Sequence, residues 1–175
     1  NNLDKSDKDS FFTSYIQTRD IISSTIDISR NIPDNDLKDA IEIKVYDELA
    51  LDSSVEYTIS YFETDSKESK NRSFNVFIID LKLLTSKLAP IKEKTRYIDF
   101  VTTAPFLIKA LYQKNFIEPD GTQAFVYFQK NDAFLTIYKN GAYLYSKSLH
   151  YSLDEMNEKF CELIGERIEE DDFYK

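Results

Sequence analysis

A chain of 175 residues, 42% hydrophobic and 14% aromatic, has enough apolar material for one domain or one and a half, which excludes a disordered class despite 30% charge. Its net charge of −9, with no long Lys/Arg run, excludes attraction of nucleic acid or an anionic membrane through the overall field. The single Cys161 excludes an internal disulfide, and no apolar run is long enough to span a bilayer or to act as a leader.

Residues 1–10 are polar and charged and read as a flexible margin, extended to residue 19 because 11–19 fit a short helix or a strand equally well. Ile21–Ile28 alternates apolar and polar as a strand does. Pro33 with Asp34 or Asn35 opens a helix to about Leu49, with Leu37, Ile41, Val45 and Leu49 recurring on one face. Val55–Phe62 alternates again, Thr64–Arg72 is a polar hairpin-type connection, and Phe74–Leu81 is a continuous apolar strand of the kind buried on both faces. Leu83–Lys94 is helical, with Pro90 predicting a kink or an early stop, and Arg96–Thr103 is the next strand. Pro105 suits the first turn of a helix through about Asn115. Thr122–Leu149 then gives three strands, broken at Asn131-Asp132 and at Asn140-Gly141, the second break being an Asn-Gly hairpin turn. A final helix runs from Leu153 to about Glu169, capped by Ser152 or Asp154, with Met156, Phe160, Leu163, Ile164 and Ile168 as its stripe.

Residues 26–62 carry a more specific pattern. A strand runs into Pro33, then a helix with Leu37, Ala40 and Ile41, the apolar turn Leu49–Asp52, and a strand beginning near Tyr57. This resembles the inserted subdomain of the PilM family, the actin-like proteins of type IV pilus assembly, and is similar to the cytoplasmic part of the type II secretion protein GspL. One departure is the turn, which lacks the usual proline. The remaining elements keep the family order over roughly residues 20–170. The resemblance implies an α/β fold, a ribonuclease H-like (actin-like) mixed sheet flanked by helices with a small inserted α+β subdomain. It divides the chain into a margin at 1–19, the inserted subdomain at 20–73, a strand-helix core half at 74–121, the start of a second actin-like half at 122–170, and an acidic tail at 171–175.

Actin-like ATPases place an Asp-x-Gly turn after the first strand of that half, where glycine lets a phosphate approach and the aspartate orients Mg²⁺ or water. Val126–Asn131 has neither at that place, and Phe125–Phe128 has no acid for a two-metal nuclease. The residues therefore predict no catalytic, cofactor-binding or metal-binding set, and no enzyme. His150 reads as a solvated or capping histidine, since no second His and no other Cys joins Cys161 to complete a zinc site, and Cys161 itself as a small core residue. Asp80 and Asp99 read as surface or capping acids, and the acidic residues from Glu166 to Asp172 as a solvated face. Tyr127, Tyr138, Tyr143 and Tyr145 pack a sheet face, or, as an exposed row, would make a partner surface.

The expected function is a non-catalytic scaffold of a bacterial inner-membrane machine, for type II secretion, type IV pili or DNA uptake in natural transformation (competence). The resemblance implies docking of the assembly ATPase and other machine components, with a homodimer left open. Lys38, Glu42 and Asp47, opposite the apolar stripe, are the expected partner-binding residues, meeting a basic partner. The expected place is the cytoplasmic face of the inner membrane. The chain starts at Asn, so it reads as a soluble piece of a longer protein, touching the membrane only through segments outside these residues. The alternative is an actin-like ATP-binding protein whose nucleotide loops lie partly outside this chain. An unrelated interaction domain or degenerate nuclease gains nothing from the acidic balance.

Overall fold

The computed structural model describes residues 11–64, 70–95 and 97–173. The expected margin at 1–10, the tip of the connection at 65–69, Arg96, and the last two residues of the acidic tail lie outside the described residues. In chain order the strands are β1 (Thr13–Ile16), β2 (Ile22–Ser29), β3 (Tyr57–Thr64), β4 (Asn71–Asp80), β5 (Phe100–Thr103), β6 (Thr122–Phe128), β7 (Ala133–Lys139) and β8 (Ala142–Ser148). The helices are α1 (Leu37–Glu48), α2 (Leu81–Lys92), α3 (Ala104–Gln113), α4 (Leu153–Ile164) and the short α5 (Glu170–Phe173). The chain divides into two compact units, one of residues 1–16 and 20–101 and the other of residues 17–19 and 102–175.

The expected α/β arrangement of sheets and helices is present. Among the described residues the strands fall into three sheets, β1-β5, β2-β4-β3 and β6-β7-β8. In the first unit, β4 lies between β2 and β3 and is antiparallel to both, so β2 and β3 run the same way and α1 is the crossover between them. Residues 74–80, placed from the sequence in the following segment, thus complete the sheet of the 20–73 segment. The centre of that sheet is apolar because β4 has no free edge to expose. Phe74, Val76 and Ile78 pack with Ile26, Ile28, Ile41 and Val45, and Leu37, Leu49, Tyr57 and Ile59 close around them. The alternate residue Ile79 points to a second cluster with Ile16 and Leu88. Both faces of β4 are therefore used, as its unbroken apolar run requires.

Several boundaries moved for local reasons. The strand expected at 96–103 is only Phe100–Thr103, because Asp99 is used differently, its carboxylate accepting the Phe12 N–H at 2.8 Å. Asp80 ends β4 and caps α2, its carboxylate accepting from the backbone N–H of Lys82 (2.6 Å) and Leu83 (3.2 Å), so that helix starts at Leu81. Pro90 lies inside α2, which stops at Lys92. The last helix ends at Ile164, short of Glu169, because Gly165 takes a left-handed φ of 71° and closes it. Its start is a capping box: Ser152 Oγ accepts from Glu155 N–H, and Glu155 returns a carboxylate to Ser152 N–H at 2.7 Å.

In the second unit, β6-β7-β8 is an antiparallel meander. Asn140 and Gly141 have φ of 49° and 75°, the two positive values a type I′ hairpin turn requires. One sheet face packs on α3 through Tyr112, Tyr138 and Tyr143, with ring centroids 5.3 Å and 5.7 Å apart in succession. Tyr138 is fully buried and donates its hydroxyl to the Pro105 carbonyl at 2.8 Å. Burial pushes that phenol's pKa up, with Tyr143 and Tyr112 adding to it.

Candidate functional site

Helix α1 buries Ile41 and Val45 completely against the β2-β4-β3 sheet, so the apolar stripe read from the sequence faces its own core. The three expected partner-binding residues do not form one face. At about 100° per residue, Asp47 lies about 140° around the helix from Glu42. Lys38 and Glu42 sit on one flank, where Lys38 Nζ approaches Glu42 Oε1 at 3.7 Å, one turn apart. Such an exposed pair contributes about 0.3–0.5 kcal/mol to the helix. Asp47 sits on the other flank and borders a groove between α1 and β2.

That groove has a volume of about 450 Å³. Its floor and wall are apolar, from Ile28, Ile32, Ala40 and Ile43, and its rim carries Asp47, Lys44 and Glu48. Lys44 is held by Glu48 at 2.6 Å. Asp27 accepts from the hydroxyl of Ser73, its cross-strand partner. Ile43 is 64% exposed over the groove. The sequence carried a signal for it, because Ile43 is a large aliphatic residue out of phase with Leu37, Ile41, Val45 and Leu49.

The same unit is fastened by Arg72, the second residue of β4. Its guanidinium forms a fork on Glu63, at 2.8 Å and 3.1 Å, reaches Asp34 ahead of α1 at 2.6 Å, and lies 5.3 Å from the centre of the Phe74 ring. The Arg72 hydrogen bonds hold the Glu63 carboxyl below the usual carboxylate range, and Glu63 and Asp34 in turn raise the pKa of Arg72. This cluster fixes the exit of the β2-to-α1 loop to the β3-β4 pair. No local pattern marks it, since Asp34 lies 38 residues from Arg72 and Glu63 on the other side of the β3-β4 connection.

In the second unit, the turn after β6 is engaged by residues 17–19 of the same unit. Gln17 Nε2 donates to Asn131 Oδ1 at 2.6 Å, the Thr18 N–H to Asp132 Oδ2 at 3.0 Å, and Arg19 Nη1 to the Asn131 carbonyl at 2.5 Å. Inside the turn, Gln129 N–H donates to the Asp132 carbonyl at 2.7 Å. Asp132 is only 2% exposed. The sequence marked it merely as a break between strands, whereas it anchors a distant segment.

The other singled-out residues are dispersed. His150 is exposed after β8, and no group of three or more His, Cys, Asp or Glu side chains suited to a metal occurs among the described residues. Asp80 and Asp99 both accept backbone N–H groups and are not paired with each other. Cys161 is half-buried rather than a core residue, and its Sγ accepts the Ile168 N–H at 3.2 Å. Its helix buries none of its residues, and the expected stripe is open at Phe160, Leu163 and Ile164. From the tail, Glu170 meets Lys130. Tyr138 and Tyr143 are core, while Tyr127 and Tyr145 are exposed on opposite sheet faces, since Tyr127 pairs with Phe134 and Tyr145 with Ile137. They do not make a row.

No helix among the described residues is long and apolar enough to cross a membrane. No protein-family model matches the chain, and no curated protein matches it. Solved structures do. A chain of the PilM-PilN type IV pilus biogenesis complex superposes with a TM-score of 0.69 at 12% identity, over 95% of this chain and 49% of that one. The cytoplasmic domain of EpsL, an inner-membrane component of the type II secretion system of Vibrio cholerae, gives 0.49 at 15% identity, over 84% of this chain and 53% of that one. A Bacteroides thetaiotaomicron protein with an actin-like ATPase fold and unknown function gives 0.41 at 12% identity, over 89% of this chain and 54% of that one. This chain therefore spans about half the length of the structures it matches. The likeness expected from residues 26–62 is borne out at the level of fold: the chain has the α/β architecture of the pilus biogenesis complex chain.

Proposed function

We propose that the chain is a non-catalytic adaptor of a bacterial inner-membrane machine, of the type II secretion, type IV pilus or DNA-uptake kind, working at the cytoplasmic face. In this reading it docks the assembly ATPase and other machine components, and the β2-α1-β3-β4 lobe is the inserted α+β subdomain of the actin-like fold. The observation that carries it is the match to the PilM-PilN complex over 95% of the chain. Absence of catalysis is supported by the turn after β6. Its sequence lacks the Asp-x-Gly pattern, and its polar groups are engaged by Gln17, Thr18 and Arg19.

Co-purification with the cognate assembly ATPase tests the role. Separate charge reversals, Glu42→Lys and Asp47→Lys, sample the two flanks of α1. Docking by charge predicts weaker capture for at least one of them, more so at low salt than at high, with thermal stability nearly unchanged. Failure of the unmodified chain to capture the ATPase or any other machine component would refute the docking role. Titration calorimetry with ATP and Mg²⁺ tests the second half of the reading: no binding is expected, and micromolar binding would overturn it.

A further inference from the structure

The two edges of the β6-β7-β8 meander are built differently. One outer strand, β8, carries Lys147 and a bulge, its register with β7 shifting between Ile137 and Tyr138. Lysines and bulges are ordinary means by which a terminal strand is kept from pairing with another chain. The other outer strand, β6, has neither. Its seven residues, TQAFVYF, hold no charge, no proline and no glycine, and they pair with β7 from Thr122 to Phe128 without a shift. Among the described residues, the backbone of Thr122–Phe128 bonds to no strand but β7. The side chains beside this edge are open as well, Val126 at 55% and Phe128 at 40% on one face and Tyr127 at 45% on the other.

We propose that β6 pairs with β6 of a second copy, antiparallel about a two-fold axis at Phe125, joining two meanders into one continuous sheet. The strand is its own complement in that register, the one in which every position of β6 finds a partner. Residues directly opposite across antiparallel strands lie on the same face. Thr122 then meets Phe128, Gln123 meets Tyr127 and Ala124 meets Val126, so each large exposed side chain lies beside a smaller one of the other copy. Charge favours the same edge. Each copy has a net charge of −9, and β6 brings no carboxylate to the contact. Two such edges bury on the order of 1,000 Å² in total, the size of weak, reversible interfaces rather than permanent ones. The association is therefore micromolar. It goes beyond the docking role proposed above and does not depend on it.

Sedimentation velocity of the whole chain tests it, at concentrations up to about 200 µM, well above the range expected of an interface of this size. The expected result is a reversible rise from the 20.5 kDa monomer to twice that mass. Ala124→Glu and Val126→Lys, both on exposed side chains, should each weaken association at least tenfold with an unchanged circular dichroism spectrum. In the proposed register positions 124 and 126 face each other across the axis. The double variant Ala124→Glu/Val126→Lys should therefore recover most of the lost affinity. Ala124→Glu/Phe128→Lys, which carries the same two charges at positions that are not opposed, should recover none. Three results would overturn the proposal: a monomer at every concentration, Val126→Lys associating like the unmodified chain, or the two double variants behaving alike. The first of these would leave the edge to a different strand, such as one from a longer form of the protein.

Discussion

The assignment of α1's faces can be tested with two isoleucines two positions apart. Ile41 is 0% exposed and packed among Ile26, Ile28, Val45, Phe74, Val76 and Ile78, whereas Ile43 is 64% exposed. Ile41→Ala removes three carbon groups, about 2.4 kcal/mol at ~0.8 kcal/mol each. The cavity left beside the rigid centre of β4 adds to this, giving about 3–4 kcal/mol, inside the range of about 2–5 kcal/mol for such truncations. Ile43→Ala removes the same atoms from a mostly solvated site and should stay within about 0.5 kcal/mol. Urea unfolding followed by far-UV circular dichroism reads both. With a slope of about 1 kcal/mol/M for a unit of this size, Ile41→Ala moves the first unit's midpoint down by about 3 M. If that variant does not fold, Ile41→Val still gives a measurable loss of about 0.5–1.5 kcal/mol. Equal losses at 41 and 43, or a greater one at 43, would turn the helix over and remove the groove with it.

Tyr138→Phe leaves the Pro105 carbonyl without its buried donor and should cost the second unit about 1–3 kcal/mol in thermal or urea unfolding. Asp132→Ala strands the Thr18 N–H and should cost a similar ~1–3 kcal/mol, with faster amide exchange at residues 17–19 as its local signature. Ser152→Ala should lower stability by about 1 kcal/mol, since it removes the cap of α4. The Glu155 carboxyl is held below its ordinary pKa by the backbone and side-chain hydrogen bonds of Ser152. A lowered folded-state pKa gives stability that is present above the unfolded value and lost as pH falls through the folded one. Glu155→Gln should therefore flatten the acid limb of the stability profile below about pH 4.5 and leave neutral pH less stable, as unfolding across pH 3–7 would show.

What was legible in the sequence was whatever is encoded by neighbours in the chain. The spacing of Leu37, Ile41, Val45 and Leu49 gave α1 and its buried face, and the apolar run at 74–81 announced a strand covered on both sides. Asn140-Gly141 gave its hairpin. What failed depended on pairing across long separations. Nothing local says that β4 inserts between β2 and β3, so its residues 74–80 read as part of the segment that follows. The helix that ends at Gly165 was extended because Ile168 continued the period, although a glycine able to adopt positive φ closes a helix more cheaply than any other residue.

The site obeys the same division, with one instructive exception. Lys38, Glu42 and Asp47 were grouped because all three are charged and none lies on the apolar stripe, yet a helix has two flanks as well as a back. Separation by five residues puts Glu42 and Asp47 on different ones. The residue that distinguishes the flanks was visible throughout: Ile43, apolar and out of phase. An isoleucine there adds nothing to the core of its own unit, and its place over a groove with an acidic rim gives it something else to meet. The flank with Lys38 and Glu42 satisfies its charges internally, by a pair one turn apart. The flank with Asp47 also holds a pair one turn apart, Lys44 with Glu48 at 2.6 Å, but it borders the groove. Of the two surfaces that α1 offers, the second therefore joins charged side chains to exposed apolar area, the combination that reversible contacts use.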